Sequence, residues 1–292
     1  MNKTTDFITG LTFSEDPRIY NGYLWFSDFF SKQVLKADMD TGEVETVCRL
    51  DDQPSGLGWL PDGRMLVVSM LNRKVYRLET NGELTEYADL NHIATYHCND
   101  MLVDKAGRAF VGNFGGNLSA IAKKNGREAL KNMELPTAAI ACIEPNGDVK
   151  VVAENMLFPN GTVLTDNGKT MIIAETYGNC LTAFDVENDG TLVNRRTWAQ
   201  FDNIYPDGIC IDSEGAIWAS NPIENAVYRV KEGGEITDKV QTSQNCYAVA
   251  LGGKEGRTLY CCTAQTSDPV DAVHLKCGKI ETIEVKVPAL NV

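Results

Sequence analysis

The segment that decides the fold is YPDGICIDSEGAIWA, residues 205–219. It opens with an aspartate beside a glycine and continues as a short apolar strand. An acidic turn then ends at Gly215, and a second apolar strand follows. Alone, this pattern predicts a β-hairpin. Five other segments of the chain have much the same layout, so the hairpin is one unit of a repeat.

The repeat is marked by a glycine that ends each polar turn before an apolar strand. These glycines are Gly22, Gly63, Gly107, Gly168, Gly215 and Gly256. Their separations are 41, 44, 61, 47 and 41 residues. Units of about 40–50 residues with several strands each are typical of β-propellers. We therefore predict an all-β chain that forms a six-bladed β-propeller, with four antiparallel strands per blade and very little helix.

The repeat covers the whole chain and predicts a single propeller domain over residues 1–292. The longest step contains an insertion in blade 3 near residues 122–136, with a helical pattern. This insertion is either a lid or a passive surface loop. Residues 279–287 alternate as a strand, and residues 6–13 are expected to pair nearby and close the ring.

Composition and charge limit the partners of the chain. The formal net charge of −13 argues against a nucleic-acid partner, because such binding needs a basic surface. No apolar run approaches 18 residues and no signal peptide is evident, so we expect no membrane span and a cytoplasmic protein. Nine cysteines without CxxC pairs, including Cys210, Cys261 and Cys262 in apolar strands, indicate reduced, buried thiols. A monomer and a homodimer are both compatible with the sequence.

Counting back from the turn glycines aligns one position in every unit. It lies eight residues before five of the glycines and seven before Gly22. Its occupants are Glu15, Ser55, Asn99, Asn160, Asp207 and Ala248. This position opens the innermost strand of each blade, and innermost strands line the central channel of a propeller. The six side chains are therefore expected to form one ring at one end of the channel.

Four members of this ring carry carboxylate or amide oxygens. Two carboxylates that face each other across a narrow channel repel unless a cation lies between them. Hard oxygen donors without His or Cys favour Ca²⁺ or Mg²⁺, with Zn²⁺ or Mn²⁺ tolerated. Each residue alone also fits an ordinary turn dipeptide such as Asn-Gly or Asp-Gly. Their occurrence in one register predicts one divalent cation, with Ca²⁺ the first choice.

Four short motifs carry these ring positions. They are SEDPR (14–18), HCND (97–100), FPNG (158–161) and YPDG (205–208). At these residues the chain resembles the family of senescence marker protein 30, gluconolactonases and luciferin-regenerating enzymes. The corresponding family motifs are Gly-Glu-x-Pro, Arg-x-Asn-Asp, Pro-Asn-Gly and Pro-Asp-Gly. Each motif alone is weak, but four in order at propeller spacing are specific, and the resemblance runs nearly the full length.

The resemblance implies one divalent cation held by Glu15, Asn160 and Asp207, with Asn99 as a fourth ligand or a substrate contact. It also implies hydrolysis of a small-molecule lactone with Ca²⁺, Zn²⁺, Mn²⁺ or Mg²⁺. Sugar-lactone members of the family usually have arginine where this chain has His97. Histidine lacks the bidentate fork of arginine, so the departure argues against an aldonolactone such as gluconolactone.

The resemblance also suggests a mechanism. We expect the cation to polarise the lactone carbonyl, with Asp207 as metal ligand and general base. His97 is expected at the same mouth as a base or substrate contact, or simply packed in a loop. Asn113 and Glu175, near the ends of second strands, are predicted substrate contacts, with purely structural roles as the alternative.

Two further points complete the expectations. Asp100 follows Asn99 and should point away from it along the strand. Besides the hydrolase, the sequence leaves open a propeller that binds a small molecule or protein around a structural Ca²⁺. It also leaves open a phosphotriesterase-like hydrolase, because related propellers that hydrolyse organophosphates use a similar set of Glu, Asn and Asp residues around calcium.

Overall fold

Six antiparallel sheets arranged around one axis build the described part of the chain, as the repeat predicts. The structure is a computed structural model, and it describes residues 2–130, 133–165 and 167–290. The six turn glycines all have positive φ, between 64° and 85°. The hairpin repeat that was predicted from these glycines is therefore confirmed.

The strands of the first three blades follow one another along the chain, from the axis to the rim. They are preceded by β1 (Asn2–Lys3) and β2 (Thr5–Leu11). Blade 1 has β3 (Ser14–Tyr20), β4 (Tyr23–Asp28), β5 (Gln33–Asp38) and β6 (Val44–Arg49). Blade 2 has β7 (Pro54–Trp59), β8 (Met65–Ser69), β9 (Lys74–Leu78) and β10 (Leu84–Asp89). Blade 3 has β11 (Cys98–Val103), β12 (Ala109–Asn113), β13 (Ala138–Ile143) and β14 (Val149–Met156).

The remaining blades continue in the same order. Blade 4 has β15 (Pro159–Leu164), β16 (Thr170–Glu175), β17 (Cys180–Val186) and β18 (Leu192–Gln200). Blade 5 has β19 (Ile209–Ile211), β20 (Ile217–Asn221), β21 (Ala226–Val230) and β22 (Ile236–Gln241). Blade 6 has β23 (Asn245–Gly252), β24 (Thr258–Ala264) and β25 (Gly278–Glu284).

Blade 6 is completed by the start of the chain. Strand β2 pairs antiparallel with β25 and is the outermost strand of this blade, while β1 adds a parallel edge strand to β22 of blade 5. The predicted pairing of the two ends of the chain is thus confirmed. The innermost strands β3, β7, β11, β15, β19 and β23 contact each other in a closed circle around the axis.

Hydrophobic clusters fill the six spaces between neighbouring blades. Trp218 and Leu24, for example, are almost fully buried between strands of adjacent sheets. Each such side chain contributes about 1.5–3 kcal/mol by burial. A seventh cluster, with Phe13, Phe29 and Met70 among its members, joins blades 1, 2, 3 and 6. It lies at the end of the molecule where the innermost strands begin.

Three short helices interrupt the strands of the described chain. The connection from β12 to β13 holds α1 (Leu118–Asn125) and α2 (Arg127–Leu130). The predicted insertion at 122–136 falls in this connection, and its residues 131 and 132 lie outside the described residues. The third helix, α3 (Pro269–Leu275), was not predicted, although Asp268 caps it and Pro269 opens it. None of the described helices has the length and apolar character needed to cross a bilayer.

The cysteines agree only in part with expectation. All nine are free, and Cys261 and Cys262 are fully buried. Cys210 is partly exposed, so the prediction that it is buried was wrong. Its strand, β19, has only three residues and pairs on one side with β20, which leaves part of the side chain uncovered.

Candidate axial metal and substrate site

A β-bulge near the start of five innermost strands positions the ring side chains. Pairing with the second strand shifts register at the same place in each blade. The shifts fall between Glu15 and Arg18, Pro54 and Leu57, Cys98 and Met101, Pro159 and Thr162, and Cys246 and Ala248. Bulges re-aim side chains and increase the local twist. In blade 5 the innermost strand begins only at Ile209, and Asp207 lies just before it.

Hydrogen bonds connect four of the ring residues across blades 2 to 5. The Ser55 hydroxyl donates to Asn99 Oδ1 at 3.2 Å, and Asn99 Nδ2 donates to Asn160 Oδ1 at 2.7 Å. Asn160 is hydrogen-bonded in turn to the carboxylate of Asp207. The Thr176 hydroxyl receives a further bond from Asn160 Nδ2, at 3.2 Å. The structure therefore brings these residues together on the axis.

The two carboxylates of the ring lie in an unfavourable environment for charge. Glu15 and Asp207 are only 6% and 8% exposed. Burial, followed by the charge of Asp207, raises the pKa of Glu15 well above its usual range. Burial, followed by the charge of Asp100, does the same to the pKa of Asp207. The charged groups that act on Glu15 are all carboxylates, and each opposes its ionisation.

This donor set fits a divalent cation. A positive ion next to Glu15 and Asp207 would offset their repulsion, and the amide oxygens of Asn99 and Asn160 would complete a hard oxygen set. The described residues contain no group of three His, Cys, Asp or Glu side chains suited to a metal. An ion held here would therefore rely on amide oxygens beside the two carboxylates, with water or substrate as further ligands.

Asp100, the residue after Asn99, also lies at the axis, and its orientation relative to Asn99 stays a prediction. It lies within the bulge that follows Cys98, and it lines a narrow axial cavity together with Asp16 and Arg18. The guanidinium of Arg18 donates to Asp16 Oδ1 at 2.6 Å and to the carbonyl of Met101 at 2.7 Å. Burial, then the charge of Asp16, raises the pKa of Asp100 to about 8.

Two glycines beside ring residues allow the innermost strands to approach each other. A Cβ on Gly161 would lie 2.4 Å from the Ile209 nitrogen, and a Cβ on Gly208 would lie 2.5 Å from Cβ of Ala248. Both distances are far below ordinary contact. The glycine of the Pro-Asn-Gly motif thus holds the segment around Asp207 at its position, with the Gly161 N–H donating to the Asp207 carbonyl at 3.2 Å.

Most of the chain matches one known protein family. Residues 10–265 match the model of the SMP-30/gluconolactonase/LRE-like region. The chain belongs to this family. It is 24% identical over 262 residues to regucalcin from Danio rerio, which covers 86% of this chain and 81% of the relative.

Two further proteins are similar to this chain. Lactonase drp35 from Staphylococcus epidermidis is 24% identical over 230 residues, and the match spans 73% of this chain and 62% of that protein. The solved structure of a calcium-binding protein, regucalcin, from Agrobacterium tumefaciens strain C58 has a TM-score of 0.79 at 17% identity. That likeness covers 100% of this chain and 99% of the other, and at this identity it shows the fold.

His97 of this family member lies two residues before Asn99, at the ring end of the channel. Its ring stacks on Tyr96 with centroids 4.0 Å apart and lies 6.4 Å from the ring of Phe114. Burial lowers the pKa of His97, with the charge of Asp52 acting in the opposite direction. The lowered pKa favours the neutral imidazole, which is the form that can accept a proton.

Asn113 and Glu175 are engaged within the protein. Asn113 donates to the carbonyl of Ala139 at 2.9 Å and accepts from the Gly115 nitrogen at 2.9 Å. Glu175 accepts from the Leu157 nitrogen, the Thr182 hydroxyl and the Arg195 guanidinium, at 2.6, 2.5 and 2.9 Å. Their role as substrate contacts stays a prediction, and the contacts seen here stabilise the surrounding loops.

A second layer of side chains, which was not predicted from the sequence as a layer, lies next to the ring. The residues two positions before the ring residues include four aromatic rings, namely Phe13, His97, Phe158 and Tyr205. His97, Phe158 and Tyr205 lie in one connected series of aromatic contacts, and Phe13 lies in the apolar cluster that joins blades 1, 2, 3 and 6. Counting back ten residues from the turn glycines, instead of eight, would have found three of the four.

Proposed function

We propose that this protein hydrolyses lactones, or related carboxylic esters, of small molecules at the axial ring with the help of one divalent cation. The observation that carries the proposal is the buried pair Glu15 and Asp207, which has amide neighbours and lacks a compensating positive charge among the groups that act on it. The lactonase named among the relatives and the calcium-binding structure support the activity and the ion, respectively. Calcium is the first choice, because all ring donors are hard oxygens.

The ring residues divide into holding and orienting roles. Glu15, Asn160 and Asp207 would hold the ion, with Asn99 as a fourth ligand or a hydrogen-bond donor to the substrate. A divalent cation bound there would polarise an ester carbonyl and stabilise the negative charge that develops on attack. Ser55 fixes the orientation of the Asn99 amide through its hydroxyl, which leaves the amide less freedom to rotate.

The proton transfers are assigned to the residues at the mouth. In lactone hydrolysis, water adds to the carbonyl carbon, the ring C–O bond breaks, and a hydroxy acid forms. The neutral imidazole of His97 can accept a proton from the attacking water and return it to the leaving alkoxide. Asp207 is the alternative base, although coordination to a cation would reduce its proton affinity.

We further propose a cytoplasmic location. All nine cysteines are free, and several lie in the spaces between blades, where an oxidising compartment would offer them no disulfide partner in this fold. The net charge of −13 is compatible with this location and with a small-molecule substrate.

The proposal is tested with metal-stripped protein and a panel of lactones, with Ca²⁺, Zn²⁺, Mn²⁺ or Mg²⁺ added back. We expect hydrolysis only with metal, and a loss of at least 10²-fold in kcat for Glu15→Gln and Asp207→Asn, as for removal of one charge-stabilising group. The control is Glu232→Gln, an exposed residue in the turn at the opposite end of blade 5.

The same experiment separates the alternatives. Full activity in the stripped protein or in Asp207→Asn contradicts the proposed role of the ring. A cation that raises the unfolding temperature without any ester turnover indicates a binding propeller with a structural ion. Turnover of a chromogenic phosphotriester without lactone turnover indicates the phosphotriesterase-like alternative. A further variant, His97→Gln, distinguishes the two bases, because loss of activity with unchanged metal affinity assigns the proton transfer to His97.

A further inference from the structure

Aromatic rings surround the mouth directly above the ring of oxygen donors. On one side Phe114 and Phe158 stack with centroids 4.2 Å apart and planes within 4° of parallel. The series continues through Tyr177 and Tyr205, at centroid distances of 5.3 and 6.5 Å. Phe114, Phe158 and Tyr177 are only partly buried, so parts of their faces remain open.

A second aromatic group lies at the same end of the molecule, in the apolar cluster against which Phe114 also packs. The ring of Phe13 contacts Tyr247 edge-on at 4.6 Å and Phe29 at 5.5 Å. Tyr247 connects this group to the oxygen ring, because its carbonyl accepts the N–H of Gly208 at 2.7 Å. Blade 6 contributes only Ala248 to the oxygen ring, and the phenol of Tyr247 occupies that side of the mouth.

Phe158 is held in a backbone conformation that phenylalanine rarely adopts. Its φ is 59°, in the left-handed region, which costs a bulky residue of order 1–3 kcal/mol. Two hydrogen bonds maintain this conformation. The Thr176 nitrogen donates to the Phe158 carbonyl at 3.1 Å, and the carboxylate of Glu175 accepts from the Leu157 nitrogen at 2.6 Å. The left-handed backbone orients the Phe158 ring flat against the ring of Phe114.

The loops around the mouth are apolar too. Connections between second and third strands lie at the same end of the molecule as the oxygen ring. Six of the ten exposed large hydrophobic side chains among the described residues belong to these connections, namely Leu71, Met133, Ile223, Val270, Val273 and Leu275. Three of them lie on α3, including Val270 at 77% exposed. An approaching ligand therefore meets apolar surface before it reaches the polar ring.

We infer that the site takes lactones or esters that carry an aromatic ring, with the aryl group stacked in the aromatic layer and the ester carbonyl at the oxygen ring. This inference rests on the proposed function and specifies its substrate class. A sugar lactone presents hydroxyl groups on every side and needs convergent hydrogen-bond partners, which flat ring faces do not supply. An aryl group instead gains offset-stacked or edge-to-face contacts with rings 4.5–7 Å away.

The test compares γ-phenyl-γ-butyrolactone, γ-butyrolactone and glucono-δ-lactone, each normalised to its own hydrolysis rate in alkali. For the wild type we expect the highest normalised kcat/KM with the phenyl lactone. Phe158→Gly removes the ring and also relieves the positive φ, so the fold is retained. This variant should lower kcat/KM for the phenyl lactone about 3- to 10-fold more than kcat/KM for γ-butyrolactone, the size of one aromatic contact.

The matched control is Asn155→Gly, which relieves another left-handed residue, with φ of 58°, in the strand just before Phe158. It should change kcat/KM for neither of the two butyrolactones. Preference of the wild type for glucono-δ-lactone overturns the inference, and so does an equal loss for both butyrolactones in Phe158→Gly. In either case the lactonase proposal stands.

A different outcome separates the two proposals. If no lactone is hydrolysed with any metal, the proposed activity fails, and the aromatic ligand is then judged by binding alone. The probe is 4-phenylbutanoate, titrated calorimetrically into calcium-loaded protein. Binding that weakens about 3- to 10-fold in Phe158→Gly supports an aryl ligand. Absent binding, or equal affinity in wild type and variant, overturns the inference.

Discussion

Replacing Gly161 with alanine places a methyl group against the backbone of the neighbouring blade. The added Cβ would lie 2.4 Å from the Ile209 nitrogen, 2.8 Å from Cα of Gly208 and 2.9 Å from the Asp207 carbonyl oxygen. Ordinary contacts of this kind begin near 3.4 Å. The segment around Asp207 must therefore move by about 1 Å, because all three contacts are with backbone atoms that cannot rotate away.

Two opposing effects set the change in stability. Overpacking of this kind costs about 1–3 kcal/mol. Alanine also restricts the unfolded chain, which recovers about 0.4–1 kcal/mol. The net destabilisation of Gly161→Ala is thus about 0–2.6 kcal/mol, and its central value of about 1.3 kcal/mol corresponds to roughly 3–5 °C in the unfolding temperature. At the site, a displacement of about 1 Å of Asp207 should reduce turnover about 10²-fold.

The assays are thermal unfolding by circular dichroism, calcium binding by calorimetry, and lactone hydrolysis. Gly112→Ala is the matched control, because Gly112 also lies in a buried strand and its added Cβ would meet its nearest neighbour, the Pro159 carbonyl oxygen, at an ordinary 3.4 Å. The control should keep wild-type calcium affinity and stability within about 0.5 kcal/mol. If Gly161→Ala matches the control in all three assays, the close approach of the blades does not position Asp207.

Two further predictions concern buried carboxylates. In chelator at pH 8, Asp207→Asn should raise the unfolding temperature, because it removes one of two buried like charges. With calcium at one hundred times Kd, binding stabilises the wild type by about 2.7 kcal/mol, so the wild type should then have the higher unfolding temperature. The increase in stability of Asp207→Asn over the wild type in chelator should shrink toward about pH 4. The pKa values of Glu15 and Asp207 are raised in the folded protein, so the metal-free wild type loses stability only as the pH rises above the pKa of the unfolded chain. An increase that is independent of pH contradicts this explanation. In denaturant titrations, Glu175→Ala should lower the free energy of unfolding by about 2–4 kcal/mol, because it leaves the Leu157 nitrogen unpaired. Arg195→Ala, at the exposed end of the same ion pair, should lower it by less than about 1 kcal/mol. Equal losses would show that the ion pair contributes more than the buried hydrogen bonds.

The local pattern of the chain was sufficient to predict the blades. A hairpin with a turn glycine before an apolar strand is recognised from neighbouring residues alone, and the spacing of these glycines gives the number of blades. The register of Glu15, Asn99, Asn160 and Asp207 followed from the same count, since each residue sits at a fixed distance along its own hairpin. The pairing of residues 6–13 with the last strand was also predictable, because the last blade needs a further strand to cover its edge.

The direction of side chains was not predictable in this way. The count along the hairpin did not place Asp100 in the channel, where it lies within the bulge that follows Cys98. A bulge is a mismatch between two paired strands, so it is a property of the pair and not of either strand alone. The partial exposure of Cys210 has a similar origin, in the short pairing of β19 with one neighbour.

The sequence by itself determined the fold and the set of oxygen donors, because both depend on positions counted along one hairpin. Only the tertiary structure decided what surrounds those donors. The stacked pair Phe114 and Phe158 comes from different blades, and the left-handed backbone of Phe158 is maintained by hydrogen bonds from the end of β16. The burial of Glu15 and Asp207 is also decided by the tertiary structure, which removes water from both carboxylates and raises the pKa of each.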